Sequence, residues 1–398
     1  LQVERAVLGH PLSADRELAL LRLVNVVLVL PLPVLAWWAV RRFGLDDRTA
    51  VTAALVPFAV PMLTHIGSTL NNDNLFTLCV AAATALLAGV VRGDRTVRTA
   101  VALGLVLAVA FLTKGFAVVL PPIVVVAYLL GARDVDGWRA RLRTLVAPLA
   151  WTGALTVALA GWWYVRVKAR TGQFAPSIEA ERLTTDLQPP GFSPDAVAFA
   201  REFSARLVER SWGSFGWYSV RVPMWWALAA TAVVVVLVGV ALAPRRDPGG
   251  NDRWARLVLL APIAALAAFT LARSWDLYVT TGGYRFIQGR YLLAGVVGLA
   301  VLVAAGAERL ARRWAPVAVL GFAALVQADA LRRCLIGFWG GPGLGPRGQV
   351  RAMVAWSAWP GEALAVLAVA AIAAGGWLAW EVARGVRHDP RPVGSDAR

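Results

Sequence analysis

Cysteine is nearly absent from this chain: Cys79 and Cys334 are the two among 398 residues. Both fall in or beside apolar runs at no metal or redox spacing, which excludes a disulfide scaffold and a thiol-based centre. Histidine is as scarce, and His10, His65 and His388 lie too far apart to read as a metal-ligand pattern. Lysine is rarer still, since only Lys114 and Lys168 occur among 40 basic residues. Charged residues make up 16% of the chain, where soluble domains carry about 25%. Apolar sequence fills the place of what is missing: 58% of residues are hydrophobic and the mean hydropathy is +0.61. Apolar runs of about 15–23 residues recur between Arg-rich or Pro/Gly-rich breaks, and such lengths cross a bilayer. The fold class is therefore all-α, a polytopic helical membrane protein.

The net charge of +16 raises the question of nucleic acid. The arginines sit in short turns between apolar runs, and no basic stripe interleaved with aromatics marks a soluble surface, so nucleic acid is excluded as a partner. The apolar runs predict about eleven spans, near 18–40, 49–63, 75–91, 99–112, 116–130, 145–165, 223–243, 257–272, 291–306, 315–330 and 361–380. Pro31 and Pro33 should kink the first. The break at Thr113-Lys114-Gly115 reads either as a tight outer turn between two short spans or as one interrupted helix. The whole chain, 1–398, reads as a single integral-membrane domain with a long outer loop at 166–222 and a cytoplasmic tail at 381–398. Three or four basic residues occupy each of the loops 41–48, 92–98, 131–144, 244–256, 307–314 and 381–398, whereas 64–74 has none, 113–116 one, 273–290 three and 331–360 four, so that the first half of the chain carries the asymmetry. By the positive-inside rule the first set is cytoplasmic. Asp73, Lys114, the long loop and the loop at 273–290 then share the extracytoplasmic face. Residue 1 falls on that face too, and no initiator Met precedes it. These facts together predict a further span and outer loop upstream of Leu1.

Four polar residues in a row, Asn71-Asn72-Asp73-Asn74, stand at the mouth of an apolar run. A carboxylate there is costly to bury unless it is paired or faces water, which makes Asp73 a candidate catalytic residue and Asn72 and Asn74 candidate substrate ligands. Helix capping by Asn72, Asp73 or Asn74 is the plainer reading, and the two can coexist. Lys114, isolated between apolar runs, meets either lipid headgroups or a specific phosphate. Residues 193–210 read as an amphipathic interfacial helix with Val197, Phe199, Ala200, Phe203, Leu207 and Val208 on its apolar face. Trp212 and Trp217 serve either as interface anchors or as platforms for sugar rings. Arg285, Arg290 and Tyr291 form a second cluster, in which the guanidinium forks suit phosphate or carboxylate.

Three elements together resemble the GT-C superfamily of membrane glycosyltransferases that use polyprenyl-phosphate sugars. They are Asn71-Asn72-Asp73-Asn74-Leu75 opening a helix, Leu112-Thr113-Lys114-Gly115, and Gln288-Gly289-Arg290-Tyr291-Leu292-Leu293. The run Trp212-Gly213-Ser214-Phe215-Gly216-Trp217 further resembles a bacterial branch of membrane proteins of unassigned function. A Pro often follows the Gly-Arg-Tyr-Leu-Leu motif in that branch; here Ala294 does. The resemblance covers about residues 15–310.

The resemblance implies a transferase that moves a sugar from a polyprenyl phosphate to a glycan, lipid or protein acceptor of the cell envelope, at the outer face of the cytoplasmic membrane. The expected partners are membrane lipid, the lipid-linked donor and that acceptor. No cofactor is expected beyond the donor, and the need for a metal is left open. Such enzymes usually carry an acidic catalytic residue in their first outer loop. Here that loop would precede residue 1, or survive only as a tail around Asp15 and Glu17. A transporter or flippase for lipid-linked sugars is the main alternative, since a broken helix at Lys114 would suit it. An inactive, truncated scaffold is the third reading.

Overall fold

Proline and glycine decide where the spans bend. In the computed structural model of the protein, which describes residues 13–174, 189–244 and 253–388, α1 (Ala14–Val29) gives way at Leu30–Pro31 to α2 (Leu32–Phe43). Gly44 ends α2 with a left-handed cap at φ 83°. Asp46 opens α3 (Asp47–Leu55) by accepting a hydrogen bond from the Thr49 N–H at 2.7 Å. The sequence reads 49–63 as one straight span, yet a 3₁₀ turn at Val56–Ala59 leads into α4 (Pro61–Gly67), and the two arms meet at 68°. Pro57 and Pro61 each lack the N–H that a continuous helix would use there.

Next come α5 (Asp73–Val90), α6 (Val97–Thr113) and α7 (Leu120–Gly131). Lys114 meets Asp73 at one end of this group. At the other end Gly131 lies against the Val90 carbonyl, and Arg95 pairs with Asp134 at 2.9 Å. The break at Lys114 is therefore a tight turn between two short antiparallel spans. A 34-residue stretch follows, made of α8 (Trp138–Thr156), a π-helical turn (Val157–Gly161) and α9 (Trp162–Thr171). It packs along α6, with the Thr152 hydroxyl donating to Ala100 O at 3.0 Å and Tyr164 to Phe111 O at 2.7 Å.

Between the spans lie α10 (Ala196–Trp212) and a two-stranded hairpin, β1 (Ser214–Phe215) with β2 (Val220–Arg221). Asp195 caps α10 by accepting from the Val197 and Ala198 N–H groups. Phe199 and Phe203 of α10 are buried against Tyr278 and Ile287, whereas Val197 and Ala200 face outward. The helix starts a turn later than the pattern suggests. Its apolar face is narrower for the same reason, because the aromatic cluster beneath it accepts only the Phe199–Phe203–Leu207 edge.

The chain then continues through α11 (Met224–Leu242), α12 (Arg253–Thr281), a 3₁₀ segment (Gly289–Gly295), α13 (Val296–Ala311), α14 (Ala315–Trp339), α15 (Pro346–Trp356) and α16 (Gly361–His388). Three of these outrun the expected spans. Arg273–Asp276 is helical, because no breaker appears before Gly282-Gly283. Likewise α14 continues past 330, and α16 takes in the start of the expected tail. Part of the 166–222 loop and the residues after 388 lie outside the described residues.

Seven stretches are long and apolar enough to cross a membrane, and the bent pair α3–α4 makes an eighth. One of the seven, Gly289–Trp339, doubles back near Arg312: Gly289 lies beside Ser211 and Gly337 beside Val220, at the same end of the bundle. With the short α6 and α7 this brings the crossings to eleven. Small residues let the central helices approach closely, as van der Waals packing in lipid requires. Ala81, Ala85 and Ala88 of α5 are fully buried, and Gly298 of α13 touches the Leu259 carbonyl of α12.

Candidate functional site

Successive residues on a helix point about 100° apart, and the start of α5 shows the result. Asn72 donates from its amide to Thr113 O at 3.2 Å, tying the loop to the Lys114 turn. Asp73 turns toward Lys114, and the two form an ion pair. Asn74 turns inward, donating to Asn25 Oδ1 at 2.8 Å and to Ile66 O at 3.0 Å. Asn74 is thus a buried brace between α1, α4 and α5 rather than a ligand facing a cleft. None of these three caps α5 through its side chain; Asn71 does, accepting from the Asn74 N–H at 3.3 Å.

The Asp73 side chain is 7% exposed and both of its oxygens are occupied. Lys114 holds Oδ1 with a hydrogen bond. Arg290 brings Nε to 3.1 Å from Oδ2, an ionic contact without hydrogen-bond alignment. Among the described residues the cluster sets two cations against one carboxylate. The Lys114 ammonium also lies 4.4 Å from the Phe116 ring centre and 4.2 Å from that of Tyr291, so aromatic faces wall it on two sides. Phe286 completes the wall at 5.7 Å from Phe116 and 5.2 Å from Tyr291. Its backbone takes φ 65°, a left-handed conformation that a bulky residue rarely adopts. The strained turn, which also carries Arg285, holds the ring against Phe116 and Tyr291. Arg285 itself stands beside this wall, half-buried, and not on the Asp73 carboxylate.

The hairpin bends toward the same end of the bundle. Gly216 donates its N–H to His65 Nε2 at 3.2 Å, and Phe215 meets the His65 ring edge-on at 5.3 Å. Tyr218, also left-handed at φ 63°, lies under the Arg210 guanidinium at 4.0 Å. Trp217 at the tip is 96% exposed. Trp212 goes elsewhere. It is buried, donates from its indole to Thr231 Oγ1 at 2.8 Å, and lines an apolar groove instead of a polar cleft.

Asp73, Lys114, Arg290, Tyr291 and Asn72 are therefore brought together, Arg285 and Trp217 lie at the margin, and Asn74 and Trp212 are turned away. Sequence reasoning missed Phe116, Phe286, Tyr218 and Arg210. Phe116 had a signal, since it follows Lys114-Gly115; the others lie among so many aromatics and arginines that none stands out. Asp15 and Glu17 sit in the first turn of α1, about 12–15 Å along the helix from Asn25 and its partner Asn74.

The fold resembles that of two solved structures of ArnT from Cupriavidus metallidurans. The one bound to undecaprenyl phosphate superposes with a TM-score of 0.50 and 19% identity, over 92% of this chain and 59% of that one. The apo structure gives 0.51 and 21%, over 92% and 58%. ArnT is a GT-C glycosyltransferase, and the fold here is of that class. The chain spans about three fifths of the length of those structures. The family description "Predicted membrane protein (DUF2142)" matches residues 9–299, and the chain belongs to that family. No curated protein matches it.

Proposed function

We propose that this chain forms the donor-phosphate site of a GT-C-type glycosyltransferase, which takes its sugar from a polyprenyl phosphate at the extracytoplasmic face of the membrane. The observation that carries this reading is the pair of cations, Lys114 and Arg290, held side by side on the buried Asp73 carboxylate. Glycosyl transfer breaks the bond between the sugar and the phosphate oxygen, and negative charge develops on the departing phosphate. Fixed cations aimed at that oxygen stabilise the transition state more than the ground state. Lys114 presents a compact ammonium and Arg290 a planar fork, and the two cover a phosphate from two sides.

Asp73 is then read as a positioning residue and not as the general base. Its side chain is 7% exposed, with a cation against each oxygen, which places it poorly to take a proton from an acceptor hydroxyl. The base must come from another group, and among the described residues none of Asp73, Phe116 and Tyr291 beside Lys114 is placed to supply it. Trp217 at the exposed tip of the hairpin suits stacking on an acceptor sugar. A transporter would place its charges near the bilayer midplane, whereas these gather at one end of the bundle. The donor lipid reaches the site laterally between helices.

Purified protein in nanodiscs, titrated with polyprenyl phosphate and with the same polyprenol lacking phosphate, tests the reading. The phosphate lipid is expected to bind and the alcohol not. Lys114→Ala and Arg290→Gln should each weaken the former. Equal binding of phosphate and alcohol would remove the proposal.

A further inference from the structure

One apolar void among the described residues lies away from Asp73. It is a groove of about 590 Å³ on the other side of the Gly289–Gly295 segment. Val234 and Leu237 of α11 form one lip, Val319 and Phe322 of α14 the other, and Leu299 and Val303 of α13 the floor. No charged side chain lines it; Ser211 and Thr231 are its only hydroxyls. Such a groove in a membrane protein suits a hydrocarbon chain, and the question is which end holds the headgroup.

The end nearest Asp73 is closed. There α10 lies directly on Gly289, so closely that a Cβ would overlap the Ser211 nitrogen. Arg290 and Tyr291 turn to the far side of this segment, toward Asp73, while Leu292 and Leu293 face the groove. A phosphate at Lys114 and Arg290 is therefore walled off from it. The opposite end reaches Leu310 and Ala311, and the next residues are Arg312-Arg313-Trp314. All three are exposed, and among the described residues neither guanidinium makes a hydrogen bond or ion pair. Arg312 has φ 46° and ψ −123°, a region that is almost reserved for glycine. The chain keeps an arginine at a position where glycine would relieve strain.

We propose that this groove binds an anionic phospholipid from the leaflet on the Arg312 side, with its phosphate on Arg312 and Arg313 and one acyl chain along α13. The site is separate from the donor site and does not depend on the transferase reading. Trp314, 54% exposed beside the two arginines, anchors at the same headgroup level. The bound lipid also covers Val56, Ala59 and Val60 of the bend, which line the groove.

The test is native mass spectrometry of the full chain with phosphatidylglycerol, phosphatidylethanolamine or a polyprenyl phosphate added. Phosphatidylglycerol should be retained and phosphatidylethanolamine should not. Removing both charges in Arg312→Gly/Arg313→Gln should weaken retention about thirtyfold, and Arg312→Gly alone about fivefold, at the worth of one surface cation each. Val319→Trp, which fills the groove, should abolish retention with both arginines intact. Arg312→Gly relieves the backbone strain, so its lipid-free Tm should equal or exceed that of the parent while the lipid-induced rise in Tm shrinks. Retention that is indifferent to both changes overturns the proposal. So does a polyprenyl phosphate that occupies the groove and is lost in Lys114→Ala as well as in Val319→Trp, since the groove would then belong to the donor.

Discussion

Lys114→Ala separates the two things that the Lys114 ammonium does. It neutralises Asp73, whose side chain is 7% exposed, and in the proposed reaction it faces the departing phosphate. Losing one fixed electrostatic group costs about 2–4 kcal/mol of transition-state stabilisation, or roughly 30- to 1,000-fold in turnover. The first effect is a stability effect. A buried carboxylate that loses a partner destabilises by about 3–5 kcal/mol when nothing replaces it; Arg290 at 3.1 Å remains, so the lower part of that range applies. The double variant Asp73→Asn/Lys114→Ala removes both charges and should restore most of the lost Tm while leaving turnover low. Lys114→Arg should recover turnover only in part, because ring centres at 4.4 and 4.2 Å leave room for an ammonium and not for a planar fork. The assay is transfer from a polyprenyl-phosphate sugar in proteoliposomes, with Tm read on the same preparations. If the double variant regains turnover along with stability, Lys114 merely neutralises Asp73 and the phosphate site is refuted.

Other consequences are as direct. Asp73 is too buried to report topology, but Trp217→Cys in a Cys334→Ser background should react with an impermeant thiol reagent on intact cells; labelling only after lysis would place the site on the cytoplasmic side. Gly289→Ala should cost about 1–3 kcal/mol by overpacking, seen as a lower Tm, since its methyl would drive into α10; an unchanged Tm would mean that α10 is not seated on that segment. Asp94, in the turn between α5 and α6, is pushed up by burial, but hydrogen bonds from Thr99, Thr96 and Arg42 outweigh this and hold it at about 2. Its contribution of about 1–2 kcal/mol is present above the ordinary aspartate value of 3.8 and is lost as the pH falls toward about 2. Asp94→Asn should therefore lower Tm at pH 7 and converge with the parent in acid, and a difference that persists at pH 2 would contradict the linkage.

The crossings were legible because lipid demands long apolar runs, and the run lengths alone give their number. Their ends were not, because a helix stops at a glycine, a proline or a cap, whereas hydropathy stops at the first charges. That is why α12 carries Arg273 and Asp276 a further turn and more beyond its apolar run. In the site, Asp73, Lys114 and Arg290 each stood out as a charge at the mouth of a span, and one shared face was enough to group them. Their joint hold on a single carboxylate was not readable, since it needs three segments to meet within a few ångströms. Arg285 and Asn74 show the converse: their places in the chain set them beside the right neighbours, and side-chain direction took them elsewhere.

The shortness of α6 has a consequence for the surrounding lipid. Its 17 residues reach about 25 Å, while a typical hydrocarbon core is about 30 Å thick. Lys114 caps this helix, so the ammonium is drawn below the level where headgroups normally lie. A bilayer of that thickness is expected to thin around the α6–α7 hairpin, and a lipid phosphate following the dip would descend toward the depth of Asp73. Membrane thickness thereby becomes a variable of the site: thin, short-chain bilayers bring phosphates into register with Lys114, and thick, sterol-like ones hold them above it.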